Sequence, residues 1–192
     1  MLMFDVETLS TSSDSVILSA ALIHFNPEEK PSYDELLGKA IFVKFNAKEQ
    51  VEVYNRKVSK ETLEWWGKQH SHVKKASFTP SSLDVSAKSG LSLLEQYMDT
   101  YDPKREQTIW ARGSLDQLVI DDLSKTLDFN TITDYTKWRD VRTAVDIMYG
   151  SGNGYCDVEY AGFVKEIVVK HHPVHDCAYD IMQLLYGKEK KA

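Results

Sequence analysis

The chain of 192 residues is short of the features that mark secreted or membrane proteins. It has only two cysteines, Cys156 and Cys177, and they form no paired spacing. That excludes a disulfide framework and suits a reducing cytoplasm. No apolar run approaches the roughly 20 residues of a membrane span, so no membrane partner is expected. The N-terminus lacks a basic region followed by an apolar one, so no signal peptide is expected. Positive charge is scarce as well: 23 Lys and Arg against 29 Asp and Glu leave a net charge of −6. This argues against holding nucleic acid by bulk electrostatics. Local phosphate contacts beside a metal-neutralised acidic site stay open. There is no internal repeat and no low-complexity tract. What remains is an ordinary composition, 42% hydrophobic and 27% charged, enough for one domain over residues 1–187 with a short basic tail at 188–192.

The first apolar stretch carries the strongest chemical signal. In Met3-Phe4-Asp5-Val6-Glu7-Thr8-Leu9 apolar and acidic residues alternate. On a strand, positions two apart share a face, so Asp5 and Glu7 project together with Phe4 and Val6 turned to the core. Two carboxylates so close repel, and a hard divalent cation such as Mg²⁺ or Mn²⁺ would relieve that repulsion. A wet acidic face on an edge strand is the plainer alternative.

Residues 15–25 read as a buried second strand and 40–45 as a third, together an antiparallel meander. Ser59 starts a helix that runs to about His70 and carries Trp65 and Trp66. Adjacent helical positions point about 100° apart, so one tryptophan is core and the other is free to stack on a base or to cover a loop. Ala87, Leu91, Leu94, Met98 and Tyr101 mark an amphipathic helix from about Asp84. A short strand, Thr108–Ala111, turns at Arg112-Gly113. Ser114 and Gln117 have capping-box spacing for the next helix. On that helix Asp116 shares a face with Val119, Ile120, Leu123 and Leu127, while Asp121 and Lys125 lie opposite. An acid at the head of a buried stripe needs a partner, which favours Asp116 as a site residue. Trp138–Thr143 opens a further helix that ends near Gly150. Residues 153–170 carry no clear pattern.

Near the C-terminus, His175 and Asp180 are five residues apart and cannot share one helical face. Both reach one site only if the histidine lies in the approach to the helix and the aspartate in its first turns. Pro173 supports a helix start here. A zinc set of His171, His172, His175 and Cys177 is the rival, weakened by the lack of a second knuckle upstream.

These elements resemble, in this order, the DEDDh branch of the DnaQ-like 3′→5′ exonucleases on the ribonuclease H-like fold. The carrying residues are Asp5-Val6-Glu7-Thr8, Asp116 after Trp110–Leu115, and His175 with Asp180. Within the family the similarity is to bacteriophage members, through Trp138–Thr143, His175–Ile181 and Leu63-Glu64-Trp65-Trp66. It is poor over residues 26–38 and 153–170. The resemblance implies an α/β fold with a mixed central sheet, three antiparallel strands then parallel ones, flanked by helices. It implies two Mg²⁺ or Mn²⁺ held by Asp5, Glu7, Asp116 and Asp180, with His175 as general base. Thr8, Leu9 and Trp66 become candidates for contact with the 3′-terminal nucleotide, with Leu9 equally readable as core. Arg112, Arg139 and Arg142 become candidates for phosphate contact, although helix-surface pairing with Asp140 or Asp146 would serve Arg139 and Arg142 as well. The partner is a nucleic acid with a free 3′ end. DNA is preferred, RNA is the alternative, and a non-catalytic binding module is a third reading. The sequence is silent on oligomeric state.

Overall fold

The structure, a computed structural model, describes residues 1–130 and 132–189. In chain order the main elements are β1 (Leu2–Thr8), β2 (Ile17–His24), α1 (Tyr33–Lys39), β3 (Ile41–Lys44), α2 (Ala47–Glu52), α3 (Lys60–Gly67) and α4 (Ser71–Val73). After a π turn at Lys74–Phe78 come α5 (Ala87–Tyr101), β4 (Ile109–Ala111), α6 (Leu115–Thr126), β5 (Trp138–Asp140), α7 (Val141–Tyr149) and α8 (Pro173–Tyr186). The five strands form one sheet in the order β3-β2-β1-β4-β5. β1 pairs antiparallel with β2, and β2 with β3; β4 and β5 add on parallel to β1. This is the expected mixed sheet, compatible with a ribonuclease H-like fold.

Period-2 alternation in β1 feeds two cores. Leu2, Phe4 and Val6 face one layer, with Ala87, Leu91, Leu94 and Met98 of α5 and Val119, Ile120 and Leu123 of α6. Met3 faces the other, with Val141 and Val145 of α7 and Ala178, Ile181 and Met182 of α8. Asp5 and Glu7 lie on this second face. The backbone of Gly90 in α5 lets the Phe45 ring close in, 2.1 Å from where a Cβ would sit. No helix among the described residues is long and apolar enough to cross a membrane.

Several local expectations change. Helices α1 and α2 fall in stretches without clear apolar periodicity and are set by their caps. Ser32 and Glu35 form a reciprocal capping box, and Asn46 accepts from Glu49 N–H. The Ser114–Gln117 box does not form, because Ser114 has helical dihedrals (φ −97°, ψ −12°) that keep its hydroxyl from the cap. Trp138–Asp140 is a strand rather than the first turn of a helix, and Asp140 then caps α7 through Arg142 and Thr143 N–H. α3 stops at Gly67. At the expected tail, Lys188 N–H still donates to Asp157 O at 2.8 Å; residues 190–192 lie outside the described residues.

Candidate active site

Three elements deliver carboxylates to the C-terminal end of β1. Asp5 and Glu7 come from β1 itself. Asp116 comes from the first turn of α6, directly after β4. Because β4 pairs only with Leu2 and Met3 of β1, Val6 N–H is left without a strand partner, and Asp116 Oδ1 accepts it at 3.1 Å. Gly113 makes the tight turn between β4 and α6 at φ +92°, and its N–H donates to Asp140 Oδ1 at 2.9 Å. From the other side, α8 brings Asp176 and Asp180, one helical turn apart on the face that covers β1.

The electrostatics record how close these groups are. Burial, then Asp116, Asp176, Glu7 and Asp180 in that order, hold the Asp5 carboxyl well above its usual range. Burial, Asp176 and Asp116 do the same to Glu7. Burial pushes Asp116 up to about 7 against the opposing hydrogen bond from Val6, and burial with Asp180 pushes Asp176 up to about 7. Asp5 Oδ2 is buried and has no hydrogen-bond partner among the described residues. Mutually repelling oxygen donors with an orphaned lone pair fit a hard divalent cation.

At the C-terminus the structure offers a second candidate pair beside the expected His175 and Asp180, the charge of Asp180 also raising the pKa of Asp5 and Asp116. The spacing histidine-then-aspartate five residues later occurs twice, as His171/Asp176 and as His175/Asp180. Pro173 is the first residue of α8, so His171 precedes the helix and Asp176 falls in its first turns. That is the arrangement the spacing argument requires. His175 is already inside the helix. The side chains agree: one ligand atom each of Glu7, His171 and Asp176 lies within 4.8 Å of the others. His171 Nδ1 is 4.0 Å from Glu7 Oε1, and His171 backbone N–H donates to Asp176 Oδ2 at 2.8 Å. A left-handed backbone at His171 (φ +62°) turns the chain into this position, and the edge of the ring meets Trp65 at 4.6 Å. Burial and Lys170 lower the His171 pKa.

His175 instead shares a 2.8 Å hydrogen bond with Tyr33 Oη, through Nδ1. Asp180 is held by Arg112, whose Nε donates to Oδ1 and Oδ2 at 2.9 and 3.1 Å and whose Nη2 donates to Oδ1 at 2.7 Å. The same guanidinium donates to Gly154 O and Gln183 Oε1 and lies 4.1 Å above the Tyr155 ring. Arg112 is therefore engaged inside the protein rather than offered to a phosphate. The zinc set does not assemble: Cys177 is buried with its thiol on Ala21 O, and His175 is on Tyr33.

The other expected substrate contacts divide. Trp66 is fully buried and donates Nε1–H to Thr8 O at 3.0 Å, so it supports the β1 terminus and has no free face for a base. Trp65, 38% exposed, is the accessible one. Leu9 packs with Trp66, Val16, Leu18 and Val73, which is the core reading. Thr8 Oγ1 is turned to Ser10 O at 2.7 Å. Arg142 is exposed at the start of α7, close enough to lower the pKa of Asp116 and Asp180. Arg139 folds back on the carbonyls of Thr136 and Trp138. Asp121 is half-buried rather than solvated, and burial raises its pKa.

Acidic side chains gathered at the end of the central strand of a ribonuclease H-like sheet, with a histidine beside them, define the class: a nuclease of the DnaQ-like group. Residues 1–186 match the model of the 3′-5′ exoribonuclease Rv2179c-like domain family, and the chain belongs to that family. It is also 29% identical over 205 residues, 95% of this chain and 86% of the relative, to a protein of Enterobacteria phage T4 named Exodeoxyribonuclease. The protein is thus a 3′→5′ exonuclease, a hydrolase of phosphodiester bonds.

Proposed function

We propose that the protein removes nucleoside 5′-monophosphates from DNA 3′ ends, with two Mg²⁺ or Mn²⁺ held by Asp5, Glu7, Asp116 and Asp176 and with His171 as general base. The observation that carries this reading is the gathering of Glu7, His171 and Asp176 beside the orphaned Asp5 Oδ2. When bound, such ions neutralise the carboxylates and stabilise charge on the attacking and leaving oxygens. His171 accepts a proton from the attacking water as its oxygen bonds to phosphorus and the bond to the 3′-oxygen breaks. Asp176 orients His171 through the backbone N–H that it accepts. Arg142 meets the incoming phosphate. Asp180, neutralised by its ion pair with Arg112, borders the same cluster. Residues 1–187 act as one exonuclease unit, and a reducing cytoplasm suits two free thiols.

DNA as substrate is supported by the extent of the similarity to the phage Exodeoxyribonuclease. The family description favours RNA as the second reading. Digestion of 5′-labelled single- and double-stranded DNA and RNA with Mg²⁺ separates them. A ladder shortening from the 3′ end of DNA is expected. A ladder on RNA alone would transfer the assignment to RNA, and intact strands of every kind would overturn it.

A further inference from the structure

A groove of about 790 Å³ opens along the edge strand β3. The strand register fixes its position. Asp5 pairs with Ala21, and Ala21 with Phe42, so all three point to the α8 side of the sheet. Two strand spacings put Phe42 about 10 Å from Asp5. Phe42 is 38% exposed and stacks on His172, with ring centroids 5.1 Å apart and planes at 29°. His172, which lines the groove, follows His171 directly in the chain. Its far wall is the 79–85 segment, where Leu83 is 79% exposed.

Charge and shape both select the occupant. Among the described residues the lining contains Lys44, Lys75, His72 and His172, and the carboxylate of its wall segment, Asp84, is paired with Lys44, in a chain of net charge −6. Lys44 is not available to a ligand. It is buried, donates to Lys75 O and Thr79 O, and pairs with Asp84 at 3.4 Å, so it braces the wall. Lys75 and His72 are exposed on the rim. An apolar floor with a partly exposed aromatic ring, beside an exposed lysine, is the pattern that single-stranded nucleic acid recognises: bases stack and phosphates meet cations.

The geometry points to this groove as the seat of the single strand just upstream of the 3′ end, with a base on Phe42 and a phosphate near Lys75. The inference rests on the exonuclease reading and adds to it a path for the strand. It is tested with a single-stranded 12-mer oligodeoxynucleotide and with the p-nitrophenyl ester of thymidine 5′-monophosphate. The ester fills the terminal nucleotide's place, with nitrophenolate as leaving group where the strand would continue and no base or phosphate beyond it. For Phe42→Ala and Lys75→Glu the 12-mer KM should rise about tenfold, the worth of one base stack or more, while ester hydrolysis keeps its wild-type rate. Lys75→Glu alters no packing and carries the test if Phe42→Ala disturbs the fold. A wild type inactive on both substrates would sink the exonuclease reading. An active wild type with the 12-mer KM unchanged in both variants would overturn the groove and leave it to a protein partner. Fluorescence anisotropy of a labelled 12-mer, with Asp116→Asn added to each protein to block digestion, reads the groove without turnover. Kd should rise about tenfold there too, and an unchanged Kd overturns the proposal.

Discussion

Replacing Asp180 by asparagine should behave as the loss of a structural ion pair, and replacing Asp176 as the loss of a metal ligand. The Arg112 and Asp180 side chains are 10% and 9% exposed, so solvent screens them little. Breaking a buried pair by removing one partner costs about 3–5 kcal/mol, because the remaining charge is left uncompensated. Asparagine keeps one hydrogen-bond acceptor for Arg112, and losing the Asp180 charge relieves repulsion on Asp5 and Asp116. Both effects favour the lower end, about 3 kcal/mol. For a chain of this size each kcal/mol moves Tm by roughly 2–4 °C, so Asp180→Asn should melt about 6–12 °C below wild type. Its Mg²⁺ affinity by titration calorimetry should fall far less than that of Asp176→Asn. Asp176→Asn should melt near or above wild type in chelator, since it loses a repelling carboxylate. The reverse pattern, with Asp180→Asn losing metal while keeping its Tm and Asp176→Asn unfolding early, would refute the proposed roles of His171 and Asp176 and favour His175 and Asp180.

Three further outcomes follow from the same geometry. His171→Ala should slow cleavage by about 10²–10⁴, the usual worth of a positioned base, whereas His175→Ala should stay within about tenfold of wild type because His175 is engaged with Tyr33; equal losses in single-turnover assays would contradict this. Chelator should stop cleavage and Mg²⁺ or Mn²⁺ restore it, with metal raising Tm, and full activity in excess chelator would end the divalent-ion reading. In chelator, stability should fall as pH rises from about 4 to about 7. Below about pH 4 the carboxyls are neutral in folded and unfolded chains alike; above it the unfolded chain ionises first, because Asp116 and Asp176 titrate near 7 in the fold. Asp116→Asn should flatten that fall, as read from melts at pH 4.5 and 8, and an unchanged slope would show that burial does not raise the Asp116 carboxyl in the fold.

Local periodicity made much of this protein legible before any fold was known. The alternation at Phe4-Asp5-Val6-Glu7 puts both acids on one face of β1 whatever covers it, since the pleat has a period of two. The 3.6-residue period of α6 puts Asp116 at the head of a buried stripe, although it misjudged Asp121, whose burial depends on neighbours beyond its own helix. Caps were less dependable, because Ser114 has the right spacing and the wrong backbone. The α3 period says that one of Trp65 and Trp66 is buried but not which, and docking against the end of β1 decided for Trp66. The choice between two identical histidine–aspartate spacings shows the division most plainly. The sequence, through its family resemblance, implied that acids from β1 and α6 meet a C-terminal histidine–aspartate pair, His175 and Asp180, at one site. Only the tertiary structure raised His171 and Asp176 as a second candidate pair, because the partners of His175 and Asp180, Tyr33 and Arg112, lie 142 and 68 residues away in the chain, and side chains that meet only through folding leave no mark in local spacing.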